Sequence, residues 1–390
     1  MSLPDELHLE ILKYLPAHPK VLIRASAVCQ EWRRILRDPR FLRLHRALHG
    51  EQPSAAAVGF FHNAASGVQR RFLHIPRPDD PSNLSLPKKY IRGWKFVDRC
   101  HGHVLLGSGG SRPRFLVWHP TTGDCQLIPD IDLFLPSKAS GNRRNNAGLL
   151  CLCDDDHGEG RRHMDCHTSP FRVAVVFCVP GYKTACVFSS LTGQWSDDVE
   201  PMVTASGLRP EPCAVVGSTM YQLLHDDLVL ACDTDEQTLT TFQRPKGSHA
   251  RLLRADGDVL GFAMVLGFTV HLWTRDAAAS WVLRNKIDMA EVLPGLSTAP
   301  LPRTEYRFSL MPPVKVIGVV EDGDGLFLWT MLGIFIFSPR SKEFKKVHKA
   351  AADMEIVYPF SASYLPLTWN HYHYLSDGRQ QKRRRTTEQL

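Results

Sequence analysis

Cysteine, histidine and aspartate side chains crowd into one short segment, CLCDDDHGEGRRHMDCH at residues 151–167. Zinc prefers four nitrogen or sulfur ligands in a tetrahedron, and this segment contains enough of them. The usual C-x₂₋₄-C knuckle is missing, however, because a single residue separates Cys151 from Cys153. Alternate residues of a strand point to the same face, so we interpret Leu149–Cys153 as a strand and Asp154–Pro170 as a charged loop. We predict no metal ligands here.

Two further patterns could suggest an enzyme. The glycine-rich stretch GSGGS at Gly107–Ser111 could cradle a phosphate, but no Gly-Lys-[Ser/Thr] and no helical pattern follow it, so we predict a turn. His101, His103 and His119 lie close together in sequence without a serine or cysteine nucleophile motif, and we expect them on strands or turns. The sequence therefore predicts a non-catalytic protein that needs no cofactor.

The positive charge of the chain is confined to its two ends. The formal net charge is +7. Residues 1–50 contribute nine basic and five acidic side chains, a net +4. Residues 378–390 add five basic side chains and one acidic one, which leaves the region between them at −1. A nucleic-acid-binding domain normally presents a basic face. We therefore predict no nucleic-acid partner.

No segment predicts insertion into a membrane or secretion. The longest apolar stretch, Val259–Trp273, is interrupted by glycines and a histidine and is shorter than the ~20 residues of a membrane helix. The first residues have neither a basic nor an apolar signal region. We expect a cytoplasmic and/or nuclear protein, no membrane partner, and ten cysteines that are mostly reduced.

The apolar pattern of the first fifty residues predicts three short helices. The first carries Leu7, Ile11, Leu12 and Leu15 on a helical face. A second is predicted at Lys20–Ala25, and a third places Val28, Trp32, Ile35 and Leu36 on one face and ends at Asp38-Pro39. A unit this small usually needs a disulfide, a metal or a partner. Its apolar surface either packs on the rest of the chain or docks into another protein.

Residues 3–44 resemble an F-box, the module that attaches substrate receptors to the Skp-type adaptor of cullin-RING ubiquitin ligases. The resemblance rests on LPDELHLEILKYLP, LIRASAVCQEWRRIL and DPRFL taken in this order. It implies a three-helix F-box at residues 1–48. It also implies an adaptor-facing surface, with its immediate support, formed by Leu3, Pro4, Leu7, Ile11, Leu12, Leu15, Leu22, Val28, Cys29 and Trp32.

Three positions keep alternatives. Val28 and Trp32 contact either the adaptor or the local core. Arg24 pairs with an acidic group of the adaptor or remains solvated.

Beyond a linker at residues 49–57, the sequence changes to short Val-, Phe-, Leu- and Trp-rich runs separated by turn residues. About five groups of such runs follow one another, and a further one begins near Val58. Repeats of this size with several strands each are typical of propeller blades. We predict an all-β domain at residues 58–375, and we expect the strand after Glu355 to close the ring by pairing with its first blade. A β-sandwich or an irregular all-β domain is the alternative.

These repeats resemble the kelch-like, F-box-associated region of plant F-box proteins, the grass type above all. The matching pieces are VWHPTTG, VFSSLTGQW, VHLW and YPFSASYLP. The resemblance implies an α+β multidomain protein, an F-box followed by a propeller of about six blades. Residues 376–390 are expected to form a disordered basic tail, which is a nuclear import signal or only a solvated end.

The function implied is that of a substrate-recognition subunit of an SCF-type ubiquitin ligase. The F-box would bind the Skp-type adaptor and through it the cullin-RING ligase, while the β domain would bind a target protein that the sequence does not identify. The alternative is an F-box and propeller protein that regulates or binds a ligand outside a ligase.

Overall fold

The structure is a computed structural model. It describes residues 5–15, 25, 28–37, 41, 44–45, 48, 57–63, 71–74, 93–109, 113–120, 124–131, 144–152, 169–179, 181–196, 199–247, 249–255, 258–298, 312–321, 325–349 and 354–361. Three helices are described from end to end: α1 (Asp5–Lys13), α2 (Gln30–Arg37) and α3 (Met289–Val292). None of them combines the length and the apolar character needed to cross a membrane.

The N-terminal region is held by a small apolar core between α1 and α2. Its buried members are Leu12, Ala25, Ile35, Leu36 and Phe41. Most of the second predicted helix, Lys20–Ala25, lies outside the described residues, although Ala25 itself is helical. The expectation of three helices therefore stays a prediction, while the first and third have the positions that the apolar spacing indicated.

The rest of the described chain is almost entirely β-structure, arranged in antiparallel sheets. Five sheets contain four or five strands and are the blades of a β-propeller. Blade I contains β3 (Trp94–Cys100), β4 (His103–Ser108), β5 (Phe115–Trp118) and β6 (Cys125–Leu127). Blade II contains β7 (Arg144–Cys151), β8 (Phe171–Val179), β9 (Tyr182–Ser189), β10 (Gln194–Trp195) and β11 (Met202–Val203).

The remaining blades repeat the same four-strand order. Blade III contains β12 (Ala214–Val216), β13 (Thr219–Leu223), β14 (Leu228–Asp233) and β15 (Thr238–Gln243). Blade IV contains β16 (Arg251–Ala255), β17 (Val259–Leu266), β18 (Thr269–Arg275) and β19 (Trp281–Asp288). Blade V contains β20 (Val314–Val319), β21 (Leu326–Thr330), β22 (Gly333–Ser338) and β23 (Glu343–His348).

A three-stranded sheet, here the closure sheet, joins the two ends of the β domain. It contains β1 (Ala57–His62), β2 (Arg71–His74) and β24 (Val357–Ser361), with β1 in the middle. β24 pairs antiparallel with β1, so that Phe60 lies opposite Pro359 and Phe61 opposite Tyr358. The predicted closing strand is thereby confirmed. The number of about six blades stays a prediction, because five sheets have four or more strands and the closure sheet has three described strands.

The ring is closed by contacts between the inner strands and by apolar layers between the sheets. The inner strands β24, β3, β7, β12, β16 and β20 each touch the next, and β20 returns to β24. A separate cluster of buried apolar side chains fills each of the six interfaces between neighbouring sheets. A strand inside such a stack is covered on both faces, which is why β21, LFLWT, is fully buried. These features exclude the sandwich alternative.

In each blade, successive strands follow one another outwards from the inner strand. The inner strands therefore all have the same direction, so they begin at one mouth of the central channel and end at the other. We call these the entry mouth and the exit mouth. Residues that lie far apart in sequence meet at these two mouths.

Candidate functional site

An apolar stripe on α1 and the turn that follows it faces solvent. Leu7 and Ile11 are each 47% exposed, and their spacing of four residues places them on one side of the helix. Tyr14, in the turn directly after α1, is 72% exposed and extends the stripe. Leu12 is fully buried instead, and Leu15 packs partly on the same core. The single face predicted from Leu7, Ile11, Leu12 and Leu15 is therefore divided. The physical reason is that neighbouring positions such as 11 and 12 are about 100° apart around a helix.

Three further apolar side chains of this region are exposed. Val28, just before α2, is 66% exposed, and Leu44 and Leu48 are also largely in solvent. Leu44, Leu48 and Tyr14 were not among the predicted surface residues. The spacing of four residues between Leu44 and Leu48 was the signal that could have indicated them.

Cys29 and Trp32 support this surface from within. The Trp32 backbone N–H donates to the Cys29 sulfur at 3.4 Å, at the start of α2. The Trp32 ring is partly buried against the local core and stands edge-on to His8, with 6.5 Å between ring centres. Trp32 thus packs on the local core, and its contact with the adaptor stays a prediction. The other predicted surface residues, Leu3, Pro4, Leu22 and Arg24, lie outside the described residues.

Charged side chains meet at the entry mouth around Glu211. Arg209 contacts the Glu211 carboxylate at 2.7 Å, and Arg251, from the start of β16, reaches it at 3.3 Å. Burial alone would raise the pKa of Glu211, but the two guanidinium groups hold it below its usual value. Glu211 is therefore a carboxylate shared between two arginines, one of them in the neighbouring blade.

A cavity of about 410 Å³ opens beside this cluster at the entry mouth. Arg244 closes one side of it through an ion pair with Asp227 at 2.6 Å. Burial, together with nearby Lys315, Arg251 and Arg209, lowers the pKa of His249. Such a polar cavity can hold a segment that carries hydrogen-bonding or charged groups. The lining residues are Arg209, His225, Asp226, Asp227, Arg244, Gly247 and His249.

At the exit mouth, Cys100, His101 and Glu321 bring a thiol, an imidazole and a carboxylate together, with their donor atoms within 4.8 Å of one another. The His101 backbone N–H donates to Glu321 Oε1 at 2.8 Å, and Arg99 contacts Oε2 at 3.1 Å. Burial raises the pKa of Cys100 to about 12. The thiol is therefore protonated at neutral pH and is not an activated nucleophile.

A buried carboxyl group connects three inner strands within the channel wall. Asp98 Oδ2, from β3, accepts the backbone N–H of Leu149 in β7 at 2.9 Å and the thiol of Cys213 at 3.4 Å. Burial raises the pKa of Asp98 to about 7, although hydrogen bonds and Arg99 act in the opposite direction. The group is thus a hydrogen-bonding part of the wall whose charge changes near neutral pH.

The glycine-rich stretch was predicted as a turn, but Gly107 and Ser108 are the last residues of β4. Residues 110–112 lie outside the described part of the chain, and the next described element is β5. His101 lies in the turn between β3 and β4, His103 is in β4, and His119 follows β5. The predicted strand Leu149–Cys153 is confirmed for Leu149–Cys151, where β7 ends, whereas residues 153–167 lie outside the described part of the chain.

Two family models match this chain. Residues 1–46 match the model described as F-box-like, and residues 134–367 match the model described as "F-box protein AT5G49610-like, beta-propeller". The second match covers more than half of the chain. Among curated proteins, the comparison finds no significant match.

Solved structures share only a distant likeness with the chain. TolB from Acinetobacter baumannii is 11% identical with a TM-score of 0.41, over 81% of this chain and 68% of that one. Sqt1 from Saccharomyces cerevisiae is 12% identical with a TM-score of 0.34, over 77% and 70%. A chain of the Mitotic Checkpoint Complex is 11% identical with a TM-score of 0.36, over 69% and 72%.

Proposed function

Because this chain belongs to the family of F-box protein AT5G49610-like beta-propellers, we propose that it is the substrate-recognition subunit of an SCF-type (cullin-RING) ubiquitin ligase. Its F-box would bind a Skp-type adaptor, and its propeller would bind the target protein. The role is positional: the complex holds the target close to the ubiquitin-charged enzyme, which raises its effective concentration. The chain itself would supply no catalytic residue and no cofactor.

The observation that carries this proposal is the exposed stripe of Leu7, Ile11 and Tyr14 on α1 and the turn that follows it. Fully burying a large apolar side chain is worth roughly 1.5–3 kcal/mol. Covering the exposed parts of these three would therefore contribute about 2.5–5 kcal/mol to binding. A groove of a helical adaptor is the kind of partner that covers such a stripe. Val28, Leu44 and Leu48 would extend the contact.

The entry mouth is the proposed target-binding surface. It holds the polar cavity, and its exposed residues His225 and Asp226 project from the β13–β14 turn, where a target can reach them. The target would be a protein, without nucleic acid or membrane as partner. The shared Glu211 would keep the floor of the cavity rigid, because it ties Arg209 to Arg251 across two blades.

Several finer predictions belong to the same proposal. We count the closure sheet as a sixth blade, since its inner strand β24 takes its place in the ring between β20 and β3. We also propose that the repeats are of the plant, kelch-like type and that the protein is cytoplasmic and/or nuclear. A function outside a ligase would be indicated instead if no adaptor associates with the chain.

Proximity labelling in cells tests the two halves of the proposal separately. The variant Leu7→Asp/Ile11→Asp is expected to lose the Skp-type adaptor and cullin from the labelled proteins while keeping the targets. The variant His225→Glu/Asp226→Asn changes exposed residues, and Asn tolerates the left-handed backbone found at Asp226. It is expected to keep the adaptor and to lose the targets. If the first variant retains the adaptor, the ligase proposal fails; if the second retains every target, the entry mouth is not the binding surface.

A further inference from the structure

At the exit mouth, the turn between β3 and β4 meets the loop that follows β20. These belong to blades I and V, the neighbours of the closure sheet on its two sides. The donor atoms of Cys100, His101 and Glu321 lie there within 4.8 Å of one another, and His101 Nε2 is 3.8 Å from Glu321 Oε1. We propose that these three residues bind one zinc ion, which fastens the ring where it closes.

The distances suit zinc after a small adjustment. Zinc lies about 2.3 Å from a cysteine sulfur and about 2.0–2.2 Å from a histidine nitrogen or carboxylate oxygen. In a tetrahedron, these bond lengths place the donors roughly 3.3–3.6 Å apart. The His101–Glu321 separation of 3.8 Å is already close to this range. The Cys100 sulfur lies within 4.8 Å of both other donors and would approach them by side-chain rotation. A sulfur, a nitrogen and an oxygen donor together are a ligand set that favours zinc over magnesium or calcium.

The surroundings orient the carboxylate as a metal ligand requires. Arg99 holds Glu321 Oε2 and also contacts the carbonyl of Val319, while Oε1 is turned towards the His101 ring. The His101 backbone N–H uses one lone pair of Oε1, which leaves the other for a metal. Hydrogen bonds of this kind to ligating carboxylates are typical of metal sites.

Zinc binding requires the loss of one proton from the site. On binding, Cys100 would release its thiol proton to solvent and ligate as the thiolate. One thiolate and one carboxylate then neutralise Zn²⁺, and the Arg99 guanidinium leaves one positive charge beside Glu321 Oε2. The fourth position is available to water or to Cys151, which ends β7 and packs against the apolar cluster that contains Cys100.

The turn at His101 directs its imidazole towards Glu321. His101 has φ 45° and Gly102 has φ 85°, so both residues of this two-residue turn are left-handed. Asn-Gly is the pair that such a turn favours, and histidine is another residue that adopts this backbone region more often than most. In this turn, His101 Nε2 lies 3.8 Å from Glu321 Oε1.

Metal analysis of the full-length protein, purified with a histidine-free tag, tests the site. The protein is stripped with a chelator, reloaded with zinc and dialysed, and bound zinc is measured by mass spectrometry. A parallel sample receives Co²⁺, whose thiolate complexes absorb in the near ultraviolet. The variants are Cys100→Ser and His101→Asn, and Cys232→Ser is the control because Cys232 is a buried cysteine in blade III. His101→Asn keeps the turn favourable, so it separates loss of metal from loss of fold.

The wild type and Cys232→Ser are expected to bind about one zinc and to show the cobalt–thiolate band. Cys100→Ser and His101→Asn are expected to lose at least about nine-tenths of the metal, and zinc should raise the melting temperature of the wild type but not of His101→Asn. The proposal is overturned if the stripped wild type takes up no zinc, or if the two variants bind it as the wild type does. It is equally overturned if Cys153→Ser/Cys166→Ser abolishes binding while Cys100→Ser does not, since the metal would then belong to residues 151–167.

Discussion

Replacing Asp98 by asparagine should remove a pH-dependent weakness of the propeller. Asp98 is buried, and its pKa of about 7 in the folded protein lies above the usual value of 3.8. A raised pKa means that the folded state holds the proton more tightly than the unfolded state does. The free energy of unfolding therefore contains a contribution that is complete below pH ~4 and is lost as the pH rises through about 7.

The magnitude follows from the two pKa values. Their difference corresponds to roughly 4 kcal/mol, at about 1.4 kcal/mol for each factor of ten in proton affinity. Asparagine resembles the protonated carboxyl group and does not titrate, and its amide oxygen can accept the Leu149 N–H. We expect Asp98→Asn to be more stable than the wild type at pH 8, by roughly 2–4 kcal/mol, and to lose this advantage near pH 4.5.

Urea unfolding followed by tryptophan fluorescence at several pH values measures this difference. All other titrating groups are shared between wild type and variant, so they cancel. Asp130→Asn is the matched control, because the Asp130 side chain is 69% exposed and should show no such pH dependence. If the stability difference between Asp98→Asn and the wild type is the same at pH 5 and pH 8, Asp98 is ionised in the fold and the reasoning is refuted.

Three further predictions concern the F-box core, the ring closure and the entry mouth. Leu12→Ala should lower the free energy of unfolding of the N-terminal region by roughly 2–4 kcal/mol, because it leaves a cavity. Leu7→Ala should change thermal unfolding little, because Leu7 is exposed. Equal effects of the two variants would contradict the division of the helix face into a buried and an exposed part. Gly318→Ala should lower the free energy of unfolding by about 1–3 kcal/mol, since a Cβ would lie 2.8 Å from the Val357 carbonyl oxygen. An unchanged melting temperature would contradict the close contact of β20 with β24. Glu211→Gln should lower the free energy of unfolding by about 3–5 kcal/mol, because it leaves two arginines without their carboxylate. An unchanged free energy of unfolding in urea would exclude a structural role for Glu211.

The local spacing of apolar residues was sufficient to predict much of the fold. The spacing of Leu12, Ile35 and Leu36 predicted the first and third helices, and the short apolar runs predicted the blades. The closing strand was recognisable because a strand-like run near the C-terminus had no blade of its own. These features depend on neighbours in sequence, which periodicity records.

The sites at the two mouths could not be predicted in this way. His101 and Glu321 are 220 residues apart and meet only because the ring closes between blades I and V. Arg209, Arg244 and Arg251 looked like ordinary surface residues, since their common location depends on the stacking of blades III and IV. On α1, the sequence could not indicate that Leu12 is buried while Ile11 is exposed, because the apolar stripe is wider than the face that the local core covers.

Calorimetric titration of the full chain with a purified Skp-type adaptor tests the central claim most directly. The wild type should bind, and Leu7→Asp/Ile11→Asp should weaken binding at least about 100-fold, since a loss of about 1.4 kcal/mol at each position is tenfold. Val203→Asp is the control, because Val203 is an apolar residue of the propeller that is 87% exposed. It should bind as the wild type does. Wild type without affinity for the adaptor, or a double variant with unchanged affinity, would contradict the proposal that this stripe docks on the adaptor.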